Sequence, residues 1–117
     1  MHQYKKLKIW QKAMTLSIET YKITNRFPVE ERFGLTQQIR RSVVSIPSNI
    51  AEGAARNTSK EFNNFLSYAL GSLSEVETQL IISKNLEYIN QEKLDLLLNE
   101  LIIVRKMIIG LKKSLKK

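Results

Sequence analysis

Hydrophobic residues recur along most of this chain every three or four positions, the spacing that turns one face of a helix toward a core. The clearest instance is Leu35, Ile39, Val43, Ile46, Ile50 and Ala54, an apolar stripe that stays in phase through a proline, Pro47. A second stripe, Gln38, Arg41, Ser45, Ser48 and Glu52, runs beside it and consists of hydrogen-bonding groups. This pattern predicts a helix from Leu35 to about Ala55, clasped on two sides. Pro47 removes one amide donor and crowds the carbonyl of Val43, which normally costs about 3 kcal/mol in a helix interior. The uninterrupted stripe nevertheless predicts a helix that is kinked but intact, with the Ser45 and Ser48 hydroxyls as partners for freed carbonyls. Gly53 is expected to help end it.

The same reading gives three more helices. The first spans about Leu7 to Asn25 with Trp10, Met14, Ser17, Ile18 and Tyr21 as its inner face, and it stops at Phe27-Pro28 because a residue before proline is pushed out of helical geometry. Pro28 to Phe33 form a short turn. Thr58-Ser59-Lys60-Glu61 reads as a capping box, after which Phe62, Leu66, Ala69, Leu73, Val76 and Leu80 trace a heptad seam. Asn90 caps the last helix, whose seam is Leu94, Leu97, Leu101, Val104, Ile108, Leu111 and Leu115. Ile102, Ile103 and Ile109 widen that apolar arc beyond what one seam needs, a common mark of an oligomer contact, although a wide core-facing arc alone would explain most of it. Four helices joined by short loops define an all-α, up-down-up-down antiparallel four-helix bundle, occupying residues 1–117 as a single domain.

Composition narrows the picture. The chain of 117 residues is 43% hydrophobic, with four Gly, two Pro and no Cys. It is therefore neither disordered nor stapled by disulfides, and its make-up suits a reducing compartment. No apolar run reaches the roughly 20 residues of a membrane span. The lysines at the start are followed by an amphipathic pattern rather than the apolar core of a signal peptide, so a cytoplasmic location is expected.

Charge adds a partner. The net charge of +8 is uneven: residues 1–26 carry six Lys/Arg against one Glu, and residues 90–117 carry seven against three acidic groups. Residues 58–89 hold two basic and four acidic groups. A fold that brings the ends together displays a basic end or face, which attracts polyanions such as RNA or DNA. A lysine-decorated surface with no partner would look similar. Candidate phosphate contacts are Lys5, Lys8, Lys12, Arg40, Arg41 and Arg56.

Catalytic constellations are missing. The single histidine, His2, stands at the terminus, and no Glu-x-x-His pair of a bundle metal site occurs, so no metal or cofactor is expected. Glu19, Glu52 and Glu75 are carboxylates without an imidazole. No nucleophilic serine motif or glycine-rich phosphate loop is present, and Gly71-Ser72 reads as a small-residue packing site. The polar residues Gln38, Arg41, Ser45, Asn49 and Glu52 are matched on the third helix by a heptad-spaced row of Tyr68, Ser72, Glu75 and Gln79, and the two rows are able to face each other. They predict a packing or assembly network in which Arg41 pairs with Glu52 or Glu75, within one bundle or between subunits. The alternative is a solvated face, which explains the charges well but mid-helix serine, asparagine and glycine poorly.

Several of these words together are more specific than a bundle pattern. Trp10-Gln11-Lys12-Ala13, Phe27-Pro28 with Glu31, Gly34-Leu35, Gln38-Ile39-Arg40-Arg41, Ser45 through Gly53, and Ala69-x-Gly71-Ser72-x-x-Glu75 occur in order over nearly the whole chain. Their combination resembles the four-helix bundle proteins encoded within intervening sequences of bacterial 23S rRNA genes. The resemblance implies a bacterial cytoplasmic bundle that assembles as a ring-like homopentamer. It also implies kinship with the accessory variability proteins of diversity-generating retroelements, which work with a reverse transcriptase and nucleic acid. Two functions are thus expected as rivals: a non-enzymatic nucleic-acid-binding oligomer, or a protein-binding scaffold without nucleic-acid contact. A membrane-surface role for the first helix, with Trp10 and its lysines, is a third.

Overall fold

The computed structural model describes residues 2–116. Four α-helices account for most of them: α1, Lys8–Thr24; α2, Leu35–Ala54; α3, Ser59–Asn85; and α4, Gln91–Leu115. Two single 3-10 turns, Tyr4–Lys6 and Val29–Glu31, precede α1 and α2. Each helix packs on its chain neighbour and α4 closes on α1, while the diagonal pairs do not meet. Cross-helix contacts run in opposite directions along α1 and α2 (Ser17 with Val43, Thr24 with Arg40), α2 and α3 (Ser45 with Ser72, Gly53 with Phe65) and α3 and α4 (Asn63 with Lys112, Glu77 with Arg105), so the bundle is antiparallel and up-down-up-down. Its extents of 45 × 23 × 20 Å follow from 27 residues of α3 at about 1.5 Å per residue.

The heptad seams are the core. Leu66, Ala69, Leu73, Val76 and Leu80 of α3 and Leu97 and Val104 of α4 have no exposed surface, and Phe62 and Leu101 have 1%. Facing them, Ile39, Val43, Ile46 and Ile50 of α2 are fully buried. Each such side chain contributes roughly 1.5–3 kcal/mol relative to exposure. As expected, α2 is flanked on both sides, by α1 and α3.

The helix ends follow local chemistry. Thr58 Oγ1 accepts the Glu61 amide at 3.1 Å, and its hydroxyl donates to the Glu61 carboxylate at 3.0 Å. Asn90 Oδ1 accepts the Lys93 amide at 2.8 Å. At the end of α3, Glu87 takes a left-handed φ of 66°, while the Glu87 amide donates to Lys84 O and the Tyr88 amide to Ser83 O. That pairing is a Schellman closure, made here without glycine.

Four expectations are corrected. First, α1 turns Ile9, Ala13, Leu16, Ser17, Thr20 and Thr24 inward, whereas Ile18 is 51% and Tyr21 41% exposed. The polar Thr20 and Thr24 can be buried because their hydroxyls donate to Leu16 O and Thr20 O at 2.8 Å. Second, the carbonyl freed by Pro47 is served from a neighbouring helix: Ser17 Oγ of α1 lies 3.2 Å from Val43 O and 2.9 Å from Ala13 O. Third, Gly53 is inside α2 and marks a close approach, for a Cβ there would lie 2.7 Å from Phe65 Cβ and 2.9 Å from Phe62 Cδ1. Fourth, Gly71 is exposed and a Cβ there would meet nothing within 4 Å, so it does not serve helix packing within the chain.

Candidate nucleic-acid interface

The antiparallel topology gathers both termini at one end of the bundle. The His2 amide donates to Ala54 O at 2.9 Å and its ring packs 5.2 Å from Phe62, which fixes the N-terminal segment against the ends of α2 and α3. The Lys112 ammonium at the end of α4 donates to Asn63 O at 3.2 Å, to Ser67 Oγ at 2.5 Å and to Asn63 Oδ1. Burial, followed by the nearby Lys116 charge, lowers its pKa.

This end therefore carries Lys5, Lys6, Lys8 and Lys12 from the N-terminal stretch, Arg56 from the α2–α3 connection, Lys60 from the first turn of α3, and Lys113 and Lys116 beside Lys112. Only Glu52 and Glu61 oppose them in the same turns. Lys5, Lys8 and Lys12 are exposed. No acidic residue occupies the first turn of α1, so these lysines stand near the positive end of a helix dipole with no carboxylate beside them.

The six residues named from sequence do not form one patch. Arg56 belongs to the lysine end, where it pairs with Glu52 at 2.8 Å and stands 4.8 Å over the Phe65 ring. Arg40 and Arg41 lie near the start of α2, close to the opposite end. Arg40 is held firmly: Nε donates to Thr24 Oγ1 at 3.0 Å, Nη2 to Asn25 Oδ1 at 2.9 Å and to Tyr21 O at 3.3 Å. Its guanidinium also caps the Tyr21 ring at 4.5 Å. Arg41 is exposed.

The polar network forms in a smaller version than expected. Ser45 and Ser72 hydroxyls meet at 2.5 Å across α2 and α3, Ser72 donates on to Tyr68 O at 3.2 Å, and Asn49 Nδ2 donates to Ser45 O at 2.8 Å. Arg41 takes no part. It is separated from Glu52 by eleven residues of one helix, about 16 Å along the axis, and Glu52 is engaged by Arg56. Gln38 and Glu75 are exposed.

Residues that the sequence assigns to the inner face of α1 line a surface groove, with Trp10 also packed half-buried against the core. Trp10, Met14, Ile18 and Tyr21 of α1 face Val44, Pro47 and Ala51 of α2 across about 640 Å³. Ile102, Ile103 and Ile109 on α4 are 39–44% exposed. Among the described residues no cluster of three His, Cys, Asp or Glu side chains is placed to hold a metal ion. Among these residues no helix is long and apolar enough to cross a membrane.

The fold and these surfaces define an all-α four-helix bundle with one basic end and uncovered apolar faces. Residues 5–110 match the sequence model of the 23S rRNA-intervening sequence proteins, and the chain belongs to that family. A crystal structure of a protein of unknown function from the S23 ribosomal protein family of Bacteroides thetaiotaomicron is similar. It is 27% identical, with a TM-score of 0.80 over 90% of this chain and 98% of that one. No curated protein matches the chain.

Proposed function

We propose that the protein is a non-enzymatic, cytoplasmic oligomer that binds RNA or DNA through the end of the bundle where its termini meet. The observation that carries this reading is the convergence there of lysines from three separate stretches of sequence against two glutamates. Such a surface acts on phosphates by charge and counterion release, without needing a pocket. Lys5, Lys8 and Lys12 are its exposed members, and Arg56 supports them while paired with Glu52. A titration with structured RNA and with single-stranded DNA is expected to show affinity falling steeply with salt, and no binding at low salt would refute the proposal.

The homopentamer belongs to the same proposal. The α1–α2 groove and the α4 isoleucines are different surfaces, so joining one to the other is a head-to-tail contact, the kind that closes rings. Light scattering at micromolar concentration is expected to give the mass of a pentamer, and a monomer would contradict it. The groove also favours the rival reading, a protein-binding scaffold. Capture of partners with and without nuclease separates the two, since partners that survive nuclease support the scaffold.

A further inference from the structure

The second cluster of arginines, at the far end of α2 from the lysines, has a composition of its own. Phe33 is 82% exposed, and the Arg32 guanidinium stands 5.9 Å from its ring centroid. Beside them lie Arg40 on the Tyr21 ring and the exposed Arg41, and these residues line one cleft of about 330 Å³. A second cleft of about 270 Å³ shares Arg32, Thr36 and Arg40 with the first. Thr36 is buried, yet its hydroxyl oxygen has no hydrogen-bond partner.

The charge of this surface is not cancelled. Among the described residues the ion pairs are Arg56 with Glu52 and Arg105 with Glu77, so Arg32, Arg40 and Arg41 have none. The neighbouring Glu31 turns elsewhere: it accepts the Leu35 amide at 3.0 Å and the Tyr88 hydroxyl at 2.9 Å. An exposed apolar ring is commonplace alone; an exposed ring among three unpaired arginines, next to an unpartnered hydroxyl, matches the surface that single-stranded nucleic acid requires.

We propose that this surface binds unpaired nucleobases of single-stranded RNA or DNA. The Phe33 ring takes the face of one base, and Arg32 and Arg41 neutralise the phosphates on either side. Arg40, fixed by Thr24 and Asn25, holds the Tyr21 ring in place. Stacking on a ring needs a base already out of a duplex, so the contact selects single strands. The inference rests on the proposed nucleic-acid function but uses a different site, about 30 Å along α2 from the lysine end.

Fluorescence anisotropy with a labelled oligo(dT), a labelled oligo(rU) and a labelled duplex of equal length tests it. Phe33→Ala is expected to weaken binding of one or both single strands by about tenfold or more and to leave the duplex unchanged, with Phe33→Trp retaining wild-type affinity. The triple variant Lys5→Gln, Lys8→Gln, Lys12→Gln is expected to weaken strand and duplex alike. Wild-type affinity of Phe33→Ala for both strands overturns the base-stacking site and leaves the lysine end standing. An equal loss for strand and duplex also overturns it. Failure of the wild type to bind any of the three at low salt removes both proposals.

Discussion

Pro47 keeps its place in α2 because α1 supplies the partner that the missing amide cannot, and this can be measured. In a regular helix the amide of residue 47 would donate to Val43 O; here that carbonyl shares the Ser17 hydroxyl proton, at 3.2 Å, with Ala13 O at 2.9 Å. Ser17 is 7% exposed and Val43 fully buried, so removing the hydroxyl leaves that carbonyl without a side-chain partner from α1. Leaving a buried carbonyl unpaired costs about 1–3 kcal/mol, from which the better helix propensity of alanine recovers a few tenths, so Ser17→Ala is expected to cost about 1–2 kcal/mol. In a Pro47→Ala background the helix regains its amide, Val43 O is paired without Ser17, and the same substitution should cost close to nothing. The double-mutant cycle isolates a coupling of about 1 kcal/mol or more, whatever Pro47→Ala does alone through its lost ring packing. Urea denaturation of the four proteins, at one protein concentration so that assembly contributes equally, gives the number. Equal cost of Ser17→Ala in both backgrounds, within about 0.3 kcal/mol, would falsify the account.

Glycine positions give opposite signs under the same assay. Gly53→Ala is expected to destabilise by about 1–2 kcal/mol, because its methyl would drive against the Cβ of Phe65, which cannot swing aside, whereas Gly71→Ala and Gly110→Ala meet nothing and should each stabilise by up to about 1 kcal/mol. Glu87→Gly should stabilise by about 1 kcal/mol by relieving the left-handed backbone at φ 66°. Removing either helix cap, Thr58→Ala or Asn90→Ala, should cost about 1 kcal/mol, read as a shift in denaturation midpoint with an unchanged slope. The Leu35 amide, then the Tyr88 hydroxyl, holds the Glu31 pKa below 4.5, so its contribution is present above that pH and fades as the pH falls through the lower folded value. Melting temperatures across pH should therefore show Glu31→Gln less stable than wild type at neutral pH, with the gap closing on acidification; a gap independent of pH would contradict this.

The bundle was legible because its two strongest signals, heptad seams and caps, are local. Phe62 to Leu80 and Leu94 to Ile108 can be buried in one way only, and Thr58 and Asn90 act on amides three residues away. Position along one helix is not enough where a residue's partner comes from another. Ser17 falls on the inner face of α1 by its spacing, but nothing in its neighbours announces a carbonyl on α2. Gly53 looked like a helix end because glycine often ends helices, while the rings that make it necessary lie in the next helix. Arg41 and Glu52 fit a pattern of alternating polar positions, and only the rise of the helix shows that they cannot meet within one chain.

The inner face of α1 failed for a different reason, and that failure bears on the candidate sites. Hydrophobicity ranks Trp10, Met14, Ile18 and Tyr21 above Ala13, Thr20 and Thr24, so a pattern reading turns the larger residues inward. A threonine in a helix can satisfy its hydroxyl on the carbonyl four residues back, which makes Thr20 and Thr24 inexpensive to bury and small enough for α2 to approach. The large side chains are then displaced outward into the groove, where Tyr21 supports Arg40. The choice of small threonines inside α1 thus places an aromatic ring beneath an arginine at the surface. Packing within the bundle and the aromatic character of the surface beside Phe33 are set by the same turn of α1, so changing Thr20 or Thr24 to a larger apolar residue should disturb both together.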